Sequence, residues 1–223
     1  MALEKKWIVK EPGNPALVRQ LVAELGIDNA LANLLVQRNV KDFAQAKSFF
    51  RPQLENLHDP FLMKDMDKAV KRLDRAIRES EKILVYGDYD VDGTTAVALV
   101  YSFLRKGTPM VSYYIPDRYT EGYGISYIGI DAAAEEGCTL IIALDCGIKA
   151  TEKVEYARHK GIDFIICDHH LPADELPQAV AVLDPKRNDC HYPVSYTHLR
   201  AHETVLDLVC RLLLEKKKKN KQV

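Results

Sequence analysis

The chain has 223 residues, 47% of them hydrophobic and 28% charged, with a formal net charge of −1, enough for one good core and a small second unit but without the charge of a protein that coats nucleic acid. No apolar run nears the roughly 20 residues that cross a bilayer, and the opening Met-Ala-Leu-Glu-Lys-Lys-Trp lacks a signal peptide's apolar stretch, so a cytoplasmic protein without membrane association is expected. Cys138, Cys146, Cys167, Cys190 and Cys210 are odd in number and form no Cys-x-x-Cys pair, which argues against a disulfide framework and a thiolate zinc site.

Residues 1 to about 80 read as a helical region, with apolar positions at helical spacing in Leu17, Leu21 and Leu25, then Leu31, Leu34 and Leu35, then Phe43, Ala46 and Phe50. Arg51-Pro52 breaks the series. Met66, Ala69, Val70, Leu73 and Ile77 announce a further helix with one apolar stripe.

From Lys82 the pattern changes to alternating strands and helices. Strands are predicted at 83–86, 110–115, 140–144, 162–167 and 180–183, and helices at 93–106, 126–136 and 150–160. That alternation implies an α/β fold, a parallel sheet flanked by helices on both faces, over residues 81–193.

Ligands of open parallel sheets bind beyond the carboxyl ends of the strands, and the unusual residues cluster there. The first strand runs into Gly87-Asp88-Tyr89-Asp90-Val91-Asp92-Gly93, the third into Asp145-Cys146-Gly147 and the fourth into Asp168-His169-His170. Several gathered carboxylates repel one another unless a cation neutralises them, and Asp with neutral imidazole suits Mn²⁺ or Mg²⁺. Of the adjacent histidines, one is expected to bind metal and the other to face a substrate phosphate or support the ligands. His58, His159, His191, His198 and His202 lack such company and read as structural.

Plainer explanations compete. Asp88 to Gly93 also opens like a calcium loop, but the twelfth position is Leu99 instead of a bidentate Glu and a strand precedes it. Asp145 and Asp168 could each cap a following helix. Lys10, Arg105, Lys106, Arg118, Lys186 and Arg187 could line a basic groove, yet each is more simply a solvated surface charge.

Asp168-His169-His170, with Asp90-Val91-Asp92-Gly93 upstream and Asp145 between, resembles the ordered motif set of the DHH phosphoesterases. Tyr86 to Gly93, Pro116-Asp-Arg-Tyr-Thr-Glu-Gly-Tyr-Gly124 and Leu57-His-Asp-Pro-Phe61 resemble the branch of that family specific for single-stranded DNA, over roughly residues 1–193. The resemblance implies Asp90, Asp92, Asp145 and His169 as metal ligands, Asp88 as a helper, and His170 near the scissile phosphate. It implies a two-metal hydrolysis of single-stranded DNA from the 5′ end, with ions about 3.5 to 4 Å apart, by a monomer. Asp145 and His170 are then the catalytic candidates. Arg118 and Tyr123 are candidates for holding the strand, Tyr123 by base stacking.

Two other readings stand beside this one: a DHH hydrolase of short oligonucleotides, cyclic dinucleotides or pyrophosphate, and a non-catalytic scaffold for nucleic acid or replication proteins. After Pro193 the sequence departs from the family pattern and is similar to translated adapter read-through, although 202–215 could form an amphipathic helix ahead of the lysine run 216–219. The rest of the DHH domain, with a further metal-binding Asp, and a substrate-binding DHHA1 domain are expected in the family but are not recognised here. The fragment is on that account expected to be of uncertain activity.

Overall fold

The computed structural model describes residues 8–51, 53 and 58–193; the expectations for 194–223 lie outside them. By internal contacts the chain divides into two compact units, one up to Leu57 and one from His58.

The first unit contains helices α1 (Pro15–Leu25), α2 (Asn29–Val36) and α3 (Phe43–Phe50). Each starts where an Asn or Asp side chain accepts a backbone N–H: Asn14 from Ala16, Asp28 from Leu31 and Asp42 from Gln45. Gly26, at φ 65°, ends α1 in the left-handed conformation that glycine adopts without strain. The core consists of Val18, Leu21, Ala32, Leu35, Val40 and Ala46. Leu31, Leu34, Phe43 and Phe50, which the helical spacing had pointed inward, are at least 45% exposed. With helices this short the buried stripe is narrow, and Val18 and Ala32 take the inward places.

The second unit opens with a 3₁₀ turn, Pro60–Leu62, and helix α4 (Met66–Arg78). There follow β1 (Lys82–Gly87), α5 (Val91–Leu104), β2 (Val111–Tyr114), α6 (Tyr127–Glu135), β3 (Cys138–Leu144), α7 (Thr151–His159), β4 (Asp163–Cys167) and β5 (Ala181–Leu183). The strands form one parallel sheet in the order β2-β1-β3-β4-β5. All five predicted strands and the three intervening helices are present, with ends that differ by a few residues.

Alternate residues of each strand serve opposite faces. Ile83, Val85, Leu140, Ile142 and Ile165 pack with α4 and α5, while Leu84, Tyr86, Ile141, Phe164 and Ile166 pack with α6 and α7. Both faces are covered, which explains the nearly continuous apolar strands. Helix α4 belongs to this unit because Met66, Ala69, Leu73 and Ala76 lie in the core of one sheet face, so the contacts break near 57 and not at 80. Its buried Arg72 reaches Glu81 at 2.7 Å, Asp163 at 2.6 Å and the carbonyl of Thr139 at 3.2 Å. The guanidinium thereby ties α4 to the amino-terminal end of the sheet and leaves the opposite edge for chemistry. No described helix is long and apolar enough to cross a membrane.

Candidate metal centre

The chain leaves β1 for β2 on one side and later returns to β3 on the other, so a crevice opens between β1 and β3 at the carboxyl edge. Register then aligns the residues there. Gly87 pairs with Leu144, Leu144 with Cys167 and Cys167 with Leu183. The next residues, Asp88, Asp145, Asp168 and Asp184, therefore follow four adjacent strands as a row of carboxylates. Sequence reasoning found the first three and missed Asp184. Its signal was the position directly after the strand at 180–183, obscured because Asp184-Pro185 reads as an ordinary turn.

Asp88 is fully buried. Its Oδ1 accepts the N–H of Tyr89 at 2.8 Å and of Gly124 at 3.4 Å, whereas its Oδ2 has no hydrogen-bond partner. Burial raises its pKa, and those two N–H groups offset part of the rise. Asp90 caps α5 by accepting the Gly93 N–H at 2.9 Å. A Cβ at Gly93 would stand 2.4 Å from the Asp88 carbonyl oxygen, so the helix start can lie against the acidic turn only with glycine there. The Asp-x-Asp-Gly spacing is thus accounted for: Asp90 starts the helix, Asp92 occupies its first turn, and Gly93 admits the backbone of Asp88. Strand β1 precedes this loop, which removes the calcium-loop alternative.

Asp145 adopts φ 60°, a left-handed conformation rare outside glycine, asparagine and aspartate. Burial, then the charge of Asp90, raises its carboxyl to about 7. Its Oδ1 lies 3.3 Å from Nδ1 of His169, which is only 9% exposed. Donor atoms of Asp145, His169 and His170 all fall within 4.8 Å of one another. Among the described residues Asp88, Asp90 and Asp92 do not join that trio, although Asp90 and Asp92 are near enough to raise Asp145 electrostatically.

Asp168 has a different task, and neither it nor Asp145 caps a helix: the residue before α7 is Ala150. Oδ2 of Asp168 accepts the Ile148 N–H, and its Oδ1 accepts the N–H groups of His169 and His170 and lies 2.7 Å from Nδ1 of His170. Burial works against its charge, but the His170 contact and these N–H groups outweigh it and the pKa falls. His170 moves the opposite way, its pKa raised chiefly by the Asp168 carboxylate. Asp168→Asn is accordingly expected to return the His170 pKa toward the ordinary value of about 6.5, as read from its imidazole resonances during an NMR titration. A His170 pKa that stays raised in this variant would remove Asp168 as the cause.

The strand-holding candidates lie beside this row. Tyr123 is half exposed, its ring set edgewise against Tyr89 at 5.8 Å and His170 at 6.2 Å. Burial and the carboxylates of Asp88, Asp145 and Asp90 drive its phenol pKa upward, keeping a proton donor over the row. Arg118, exposed, places its guanidinium 4.5 Å from the centre of the Tyr89 ring. Arg187 is lost to a basic groove. It is 8% exposed and ion-paired with Asp65 at 2.6 Å and Asp189 at 2.8 Å.

The donor set fits a divalent cation. The Asp145 carboxylate and the His169 imidazole already converge with His170 beside them, an unpartnered buried oxygen of Asp88 follows the neighbouring strand, and the thiol of Cys146 is driven up by burial, out of competition as a ligand.

Residues 82–223 match the family model described as the DHH family, N-terminal domain. The chain belongs to the DHH family. Among curated proteins it is similar to the single-stranded-DNA-specific exonuclease RecJ of Bacillus subtilis (strain 168), 38% identical over 193 residues, which cover 86% of this chain and 24% of the relative. It is also similar to RecJ of Escherichia coli (strain K12), 36% identical over 180 residues, covering 80% and 28%. A crystal structure of exonuclease RecJ bound to manganese superposes with a TM-score of 0.60 at 28% identity, covering 69% of this chain and 38% of that one. RecJ from Thermus thermophilus in complex with Mn²⁺ shares the fold, with a TM-score of 0.63 at 24% identity and coverage of 93% and 28%. The chain spans about a quarter of the length of the curated relatives it matches.

Proposed function

We propose that this chain carries the metal-binding part of a hydrolase that cuts phosphodiester bonds of single-stranded DNA from the 5′ end. The observation that carries the reading is the convergence of Asp145, His169 and His170 at the carboxyl edge of the sheet, beside the buried Asp88. Asp90, Asp92, Asp145 and His169 would hold Mn²⁺ or Mg²⁺, with Asp88 in support. Bound divalent ions would polarise the scissile phosphate and make a nucleophile available from water near neutral pH.

The chain's own residues supply the rest. His170, its Nδ1 engaged by Asp168 and its ring 42% exposed, keeps Nε2 for a phosphate oxygen, and its raised pKa favours the protonated, donating form. Arg118 provides a positive charge beside a row of acids that would otherwise repel the strand. Tyr123 offers a ring face for a base and a phenol proton for the carboxylates. A protein of this kind would work in DNA repair and recombination, in the cytoplasm and as a monomer.

The test is Mn²⁺-dependent release of mononucleotides from 5′-labelled single-stranded DNA by this chain and by its Asp145→Asn variant. Where the parent chain releases nucleotides, a loss of at least about a thousandfold is expected from the variant, together with weakened Mn²⁺ binding. Equal non-zero rates, or equal Mn²⁺ affinity of the two chains, would refute the ligand assignment.

A further inference from the structure

Arg118 and Tyr123 stand on one loop, residues 115–126, which joins β2 to α6. Both meet the acidic turn through the same ring, Tyr89, the guanidinium at 4.5 Å from its centre and the Tyr123 ring edgewise at 5.8 Å. Between them in the chain is Glu121, half-buried. Its Oε1 accepts the Asp117 N–H at 2.7 Å, its two oxygens lie 3.0 and 2.9 Å from the Tyr114 hydroxyl, and its Oε2 accepts the Ser126 hydroxyl. One carboxylate thus ties the loop to the end of β2 and to the residue that caps α6. We propose that Glu121 is a positioning residue, which fixes this loop so that Arg118 and Tyr123 stand beside the acid row before a DNA strand arrives. The inference rests on the hydrolase reading above and deepens it.

The tie continues into the sheet. Ser126 Oγ accepts the Gly129 N–H at 2.8 Å, and the Ser126 N–H donates to the buried Tyr86 hydroxyl at 3.1 Å. That hydroxyl donates to the Gly124 carbonyl at 3.0 Å, and the Gly124 N–H reaches Oδ1 of Asp88 at 3.4 Å. The Tyr86 and Tyr114 rings stack at 5.4 Å, so the hydroxyls that hold the loop are themselves carried on neighbouring strands. The chemistry suits a carboxylate. Its partners are two hydroxyls and a backbone N–H, all donors, and an ionised carboxylate has sites for about four such bonds where an amide oxygen has two. Burial and the Glu121 carboxylate push the Tyr114 hydroxyl up to about 12, which keeps that donor protonated. A loop set in this way has its side chains ordered in advance, so the strand does not bear that cost on binding.

The experiment uses the full chain with Mn²⁺ and a short single-stranded phosphorothioate DNA, binding being read by fluorescence anisotropy. Glu121→Ala is expected to weaken binding at least about tenfold. In a chain that already carries Arg118→Ala and Tyr123→Ala it should cost less than about twofold, since a residue acting through those two has nothing left to place. Glu121→Gln, which keeps the size and one acceptor oxygen, should bind within about threefold of the parent. Should the alanine variant not fold, Tyr114→Phe removes one donor and carries the same comparison. A tenfold loss that persists without Arg118 and Tyr123, or parent-like binding by folded Glu121→Ala, overturns the proposal. Amide hydrogen exchange separates this from failure of the hydrolase reading. The Gly124 N–H is bonded to Asp88 and not to Glu121, yet in Glu121→Ala it should exchange at least about tenfold faster, with or without DNA. Unchanged exchange there overturns the positioning role, whereas faster exchange in a chain whose parent ignores DNA upholds it and sinks the hydrolase reading alone.

Discussion

Mn²⁺ binding to this chain is expected to release close to one proton per ion near pH 6 and almost none near pH 8.5, and to weaken about tenfold for each pH unit below about 7. The cause lies in Asp145, whose carboxyl is raised to about 7 by burial and the charge of Asp90. A cation takes the carboxylate, so below that pH it must first displace a proton, and above it the ligand is already ionised. Asp145→Asn removes the charge, and asparagine tolerates the left-handed φ of 60°. Mutation of a partner outside the ligand sphere costs roughly 10- to 100-fold in metal affinity, so loss of a ligand should exceed about a hundredfold. Calorimetry in buffers of different ionisation enthalpy reads the affinity and the proton count together. Proton release that persisted in the variant would place the titrating ligand elsewhere.

Asp184→Asn is expected to stabilise the sheet-bearing unit, by an amount that grows with pH. Asp184 is fully buried, its Oδ1 accepts the Lys186 N–H at 2.7 Å, and its Oδ2 has no hydrogen-bond partner. Burial lifts its carboxyl to about 7, against roughly 3.9 in the unfolded chain. The folded state thus holds the proton more tightly. Its stability is complete below about pH 4, declines as the pH rises from there to about 7, and is level beyond. The decline amounts to about 4 kcal/mol. Asparagine keeps the oxygen that accepts from Lys186 and cannot ionise, so by urea denaturation the variant should gain most of that amount near pH 8 and little near pH 4. Equal stability at both pH values would mean that the buried carboxyl of Asp184 finds solvent or a cation in the folded protein.

Much of the fold and of the site was legible because each rests on a local rule. Unbroken runs such as Leu140 to Leu144 and Phe164 to Cys167 could be satisfied only between two covered faces, and the acids at their ends had no use in a core. Asp90 and Gly93 were readable from spacing because one caps a helix and the other admits a backbone. What escaped depended on contacts between distant parts of the chain. Asp184 matters through its register with Asp168, which the sequence of β5 does not contain. Arg187 looked like a free surface charge until Asp65, 122 positions earlier, was seen to pair with it. In the N-terminal unit, periodicity identified the helices and placed Leu21, Leu35 and Ala46 in the core, but it also turned Leu31, Leu34, Phe43 and Phe50 inward, since short helices apolar on several faces leave the choice to their neighbours.

The two oxygens of Asp90 belong to different accounts of the molecule. One secures the start of α5 through Gly93, and the other is the one that the ligand set proposed above would give to a cation. An alanine there would loosen a helix and withdraw a carboxylate at once, and a loss of metal binding would not reveal which change caused it. Asparagine caps a helix about as well as aspartate, so Asp90→Asn strips only the charge. Comparing the two variants separates architecture from chemistry at a position proposed to serve both.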